Sequence, residues 1–114
     1  MKKFVNALEG LFFGLKKDRS IKIQFFLGLL AILYCFYLQI QLMEWMIVIL
    51  CIGLVLVSEY FNTAIEKMCD AYTNDYHPTI KEIKDISAAA VFISALISFI
   101  IMLLIIIKNG GILL

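Results

Sequence analysis

The way charge is distributed along this chain leaves few folds open to it. Between Lys22 and Lys67 lie 44 residues without a lysine or arginine, and between Asp85 and Lys108 lie 22 residues without any charge. Both intervals are of membrane-spanning size, because roughly 20 apolar residues are needed to cross about 30 Å of hydrocarbon. The first interval is too long for one crossing and is interrupted by Gln39, Gln41 and Glu44. It therefore holds two, and three transmembrane helices are expected at 23–42, 45–65 and 88–107. At 114 residues, 63% hydrophobic and 17% charged, the chain is one all-α integral membrane domain, since a soluble globule of this size needs a polar surface that this composition does not supply. A net charge of +1 gives no reason to expect a nucleic-acid partner.

The basic residues set the orientation. Lys2, Lys3, Lys16, Lys17, Arg19 and Lys22 precede the first span, and Lys67, Lys81 and Lys84 lie between the second and third. The first connection has none and the C-terminal end has Lys108. By the positive-inside rule the N-terminus and the 67–85 loop are expected in the cytoplasm, and the short 39–44 connection outside. No secretory signal peptide is expected, because the first long apolar run starts after residue 22 and no small-residue cleavage site follows it.

Residues 1–20 read as a fourth, different helix. Phe4, Leu8, Leu11, Phe12 and Leu15 recur at helical spacing while Lys2, Asn6, Glu9, Lys16 and Lys17 point elsewhere, the pattern of an amphipathic helix lying on the inner leaflet. The bland alternative is a basic flank that orients the first span. In the third span, Ser94, Ala95 and Ser98 share an arc and allow close helix packing. Cys35, Cys51 and Cys69 are too widely spaced for a metal or redox centre and read as small apolar side chains.

One constellation carries chemistry. Glu59, Asn62, Glu66 and Asp70 stand at i, i+3, i+7 and i+11, within roughly 80° of one another on a helix, with Thr63 close beside them. An ionised carboxylate facing lipid costs about 2.5–3.5 kcal/mol or more, so this stripe must face protein, water or a cation. Helix glue through Asn62 and Glu59 is the structural alternative. Three acids repel one another unless a cation or a proton relieves them, which points instead to a divalent metal held by oxygen ligands, with one acid free to serve as a base. Lys84 and Asp85 restart the chain at the same depth; alone, they would read as an interfacial anchor. There is no GxxxxGK[ST], no GxGxxG and no kinase catalytic-loop pattern, and His77 is the one histidine.

At these residues the chain resembles a known family. Glu59-Tyr60-Phe61-Asn62-Thr63-Ala64-Ile65-Glu66 followed by Asp70, and then Lys84-Asp85-Ile86-Ser87-Ala88-Ala89-Ala90-Val91, is similar to the two signature blocks of the prokaryotic diacylglycerol kinases, whose Gram-positive members act mainly as undecaprenol kinases. The resemblance implies a homotrimeric bundle of three-span chains with a surface helix, transferring phosphate from ATP with Mg²⁺ to a lipid alcohol among the membrane lipids. It implies Glu59 as catalytic base, Asn62 orienting base or substrate, and Glu66 and Asp18 as metal ligands. Lys84, Asp85, Asp75, His77 and Asp70 would then bind or support the nucleotide. Thr63 and the His77-Pro78 loop resemble the undecaprenol branch more than the diacylglycerol branch. A small multidrug-type transporter would also keep a carboxylate in a short helical chain, but it has no use for the Lys84-Asp85 pair or for three acids at one edge.

Overall fold

The computed structural model describes residues 1–110, and among them all regular structure is helical. Four helices follow in order: α1 (Lys2–Lys17), α2 (Arg19–Leu38), α3 (Leu42–Tyr72) and α4 (Pro78–Lys108). The last three are long and apolar enough to cross a membrane, and the chain is a multi-pass membrane protein.

The helices outrun the apolar runs. At 31 residues, α3 and α4 are each about 46 Å long at ~1.5 Å per residue, well beyond the roughly 30 Å of a hydrocarbon core. The expected loop 67–85 is therefore corrected: 67–72 continues α3, 78–85 begins α4, and the connection is 73–77. Glu66 to Ala71 contains no helix breaker, and Pro78 takes the first position of α4, where its missing N–H removes no bond. The end of the apolar run is not the end of the helix. Likewise α2 starts at Arg19, not 23, and α1 ends at Lys17 instead of 20. Asp18 is the joint between them: its extended backbone (φ −105°, ψ 120°) breaks the helix, and its carboxylate caps α2 by accepting from Ile21 N–H at 3.0 Å.

The opposite end is closed by a tight turn. Gln39 adopts the left-handed conformation (φ 55°), and Gln41 opens α3 with a capping box in which Glu44 accepts from the Gln41 N–H at 3.0 Å. Glu44 is buried and also receives Lys108 Nζ at 3.3 Å and Asn109 Nδ2 at 3.2 Å, so one carboxylate ties the α2–α3 turn to the end of α4. Beneath it Cys35, Ile40, Val48 and Ile105 form the buried core, joined by Trp45, Ile52, Ile101 and Met102. Lipid supplies no hydrophobic drive between helices, so close backbone approach must help. Ser94 is buried, and the Ser98 hydroxyl donates to the Cys51 carbonyl at 3.3 Å, which is the tight α3–α4 packing the small residues suggested. Ala95 and Ser98 line a cavity of about 460 Å³ between α2, α3 and α4.

Candidate functional site

The acidic stripe of α3 runs from the buried interior to the exposed end of the helix. Glu59 is 5% exposed, Glu66 is half-buried and Asp70 is exposed. The Asn62 Oδ1 atom is buried and finds no hydrogen-bond donor among the described residues. Such an orphan acceptor costs about 1–3 kcal/mol of desolvation unless something else donates to it or coordinates it.

The joint at Asp18 brings a fourth carboxylate to this stripe. While one oxygen caps α2, the other accepts from the Thr63 hydroxyl at 2.7 Å, across 45 residues of sequence. Asp18 thereby sits close enough to Glu59 for their charges to interact, and Glu66 acts on Glu59 in the same way. Two residues that sequence reasoning passed over complete the neighbourhood. Gln24, the one amide between Lys22 and Gln39, comes from α2 to hydrogen-bonding reach of the Glu59 carboxylate. Tyr60 donates its hydroxyl to the Leu11 carbonyl of α1 at 2.6 Å. A lone amide in an apolar span was the available signal for Gln24; Tyr60 gave none, because tyrosine is ordinary near a membrane interface.

Lys84 approaches from α4. Its ammonium bonds the Asp70 carboxylate at 2.6 Å, linking the exposed ends of α3 and α4 around the short connection. That hydrogen bond, ahead of the charge-free run of α4, holds Lys84 above the usual lysine range, and Glu66 adds to the same field. Asp85 faces its own helix, paired with Lys81 at 2.6 Å, both well exposed. Asp75 and His77 lie in the connection: the Asp75 N–H donates to Thr73 Oγ1 at 3.1 Å, and the His77 ring stands edge-on to Tyr72 at 6.2 Å. Among the described residues neither hydrogen-bonds the stripe. The fold of one chain thus brings Asp18 against the α3 stripe at Thr63, between Glu59 and Glu66, joins Lys84 to Asp70 farther along it, and gives Asp75, His77 and Asp85 no hydrogen bond to the stripe among the described residues.

No group of three or more His, Cys, Asp or Glu converges on a common metal position among the described residues. The site does offer carboxylate and amide oxygens, with no sulfur or imidazole among them. That is the donor set of a hard cation, and Mg²⁺ in particular uses one or two carboxylates together with waters and substrate phosphates.

A small helical membrane protein with an oxygen-rich acidic site at one end of its spans, and a lysine beside it, is suited to handling phosphate next to lipid. Residues 5–106 match the family described as prokaryotic diacylglycerol kinase, and the chain belongs to that family. It is 36% identical to the undecaprenol kinase of Bacillus subtilis over 91% of this chain and 85% of that protein. It is also 32% identical to a diacylglycerol kinase of Helicobacter pylori, over 78% of this chain and 75% of that one. Membership makes the chain an ATP-dependent lipid kinase.

Proposed function

We propose that this kinase transfers the γ-phosphate of ATP to the hydroxyl of undecaprenol, giving undecaprenyl phosphate. The observation that carries the reading is Glu59: a carboxylate 5% exposed, inside an apolar helix, within reach of Gln24 and in the field of Asp18 and Glu66. Such a group is placed to take a proton from an alcohol that arrives through lipid. The undecaprenol kinase relative supports this acceptor, being matched at higher identity and over more of its length than the diacylglycerol kinase.

Each residue then has a task. Glu59 accepts the hydroxyl proton as the oxygen attacks the γ-phosphorus, whose bond to the bridging oxygen breaks to release ADP. Gln24 and Asn62 hold that carboxylate and the acceptor in line, which is most of what phosphoryl transfer asks of a protein. Glu66 and Asp18 would hold the Mg²⁺ of the nucleotide, with the unpartnered Asn62 Oδ1 as a further oxygen donor. When bound, that ion would neutralise charge building on the phosphate oxygens. Lys84 meets the phosphates from the opposite side, positioned by Asp70, while Asp75, His77 and Asp85 are assigned to the outer part of the nucleotide.

Several features of the assembly belong to the same reading. Helix α1 lies on the inner leaflet, its apolar side chains Phe4, Leu8, Leu11 and Phe12 exposed toward lipid. The N-terminus and residues 67–85 are cytoplasmic, by the asymmetry of basic residues. Three protomers form the working unit, because three spans do not enclose the site and one chain leaves Asp75, His77 and Asp85 away from the stripe. Purified protein should consume ATP in detergent on addition of undecaprenol; a transporter would consume none.

A further inference from the structure

Helix α3 carries a second stripe beside the acidic one. Tyr60, Thr63 and Lys67 stand at i, i+3 and i+7, about a quarter-turn round the helix from Glu59, Asn62 and Glu66. Every member of this second stripe reaches α1 or its joint. Tyr60 donates to the Leu11 carbonyl at 2.6 Å, Thr63 donates to Asp18 at 2.7 Å, and the Lys67 ammonium lies 5.0 Å from the centre of the Phe13 ring. The Tyr60 contact is also a contact of shape. Gly14 is buried against the ring, and a Cβ there would collide with Tyr60 Cε1 and press on Ile21 Cδ1. Real side chains do not approach so closely, so an alanine at 14 would displace either the ring or the helix.

Helix α1 is otherwise held at its C-terminal end, where Gly14 also lies against Ile21 of α2. Its large apolar side chains are mostly exposed, so they confer attachment to lipid without register. Yet its last turn carries Lys16 and Lys17, followed at once by Asp18. A shift of α1 along α3 would move two ammonium groups and one carboxylate relative to Glu66. Resting on the lipid-kinase reading above, we propose that Tyr60, seated against Gly14 and bonded to the Leu11 carbonyl, is a positioning residue that sets the register of α1 on α3 and so places Asp18, Lys16 and Lys17 for the metal-nucleotide substrate.

Glu59 is carried by α3 itself, so that register reaches it only through the charge of Asp18. Loosening α1 should therefore weaken nucleotide binding and spare the chemical step. Steady-state kinetics of the full-length protein in micelles, with saturating undecaprenol and varied MgATP, reads the difference. Tyr60→Phe keeps the ring and removes one hydrogen bond, and the MgATP KM should rise about two- to tenfold, the effect of one hydrogen bond, with kcat within about twofold. Gly14→Ala should raise KM similarly. In a Tyr60→Ala background, Gly14→Ala should add much less than it does alone, because the ring it strikes is gone and only the Ile21 side chain, at 3.1 Å, must still give. An unchanged KM in Tyr60→Phe and Gly14→Ala, or a fall in kcat alone as fewer molecules fold, would overturn the assignment. So would full additivity of Gly14→Ala and Tyr60→Ala. Failure of the unmodified protein to phosphorylate any lipid would instead remove the reading on which this one rests.

Discussion

Replacing Glu59 by glutamine separates the base from everything around it. Glutamine keeps the volume and one carbonyl oxygen, so the contact with Gln24 survives and no cavity opens at a site that is 5% exposed. It also removes one of the carboxylates crowded with Asp18 and Glu66, so the folded chain loses no attractive charge pair there. What disappears is the proton acceptor. General-base catalysis contributes about 10²–10⁴-fold, so kcat should fall at least 10²-fold, close to 2.7 kcal/mol of barrier at about 1.4 kcal/mol per tenfold. Glu66 lies seven residues away, about 10 Å along the axis at ~1.5 Å per residue, so the MgATP KM should stay within about threefold. The assay is lipid-dependent ATP consumption by both proteins in the same micelles, with the sedimentation profile as a check on assembly. A variant that retained more than a tenth of the turnover would refute the argument. One that lost assembly along with activity would make Glu59 an interhelical tether.

Four further outcomes are expected. Glu66→Gln should raise the MgATP KM more than it lowers kcat, the reverse of Glu59→Gln, and a chelator in excess should abolish turnover in either case; steady-state kinetics with varied Mg²⁺ decides both. Asp70 raises the proton affinity of Lys84, so in Asp70→Asn the ammonium should lose its proton at lower pH than in the parent, and the alkaline limb of the pH–rate profile should shift the same way. Glu44→Ala removes the acceptor of the capping box and the anchor of Lys108 and Asn109, and should cost about 1 kcal/mol or more of stability, seen as a lower melting temperature in detergent at unchanged KM. In sealed cells, a membrane-impermeant thiol reagent should label Gln41→Cys and should reach Asn74→Cys after lysis alone; the opposite pattern would reverse the orientation.

Much of this fold was legible because lipid makes its demands so simply. An interval free of basic residues and a second free of any charge located three spans, and the spacing of Glu59, Asn62, Glu66 and Asp70 placed them on one face from the sequence alone. Helix ends were not legible from hydropathy, because Glu66–Ala71 and Pro78–Asp85 are polar and helical at once. The role of Asp18 as a joint was half-hidden as well. Its acidity marked it as a ligand by resemblance, but capping α2 and meeting Thr63 depend on a break in the chain that no proline or glycine announces. Long-range partners such as Gln24 for Glu59, and Tyr60 for Leu11, emerge from helix packing that a one-dimensional pattern does not encode. The pairing of Asp85 with Lys81 is the reverse case, an i,i+4 pair that the sequence displayed and that the Lys84-Asp85 motif overshadowed.

The most direct test of the account is a competition. Purified protein is given ATP labelled on its γ-phosphate, with undecaprenol and diacylglycerol together in one micelle, and the lipid products are separated and counted. Label should enter undecaprenyl phosphate at the higher kcat/KM, and Glu59→Gln should remove that product at least 10²-fold. Label found mainly in phosphatidic acid, or undecaprenyl phosphate formed as readily by Glu59→Gln, would contradict it.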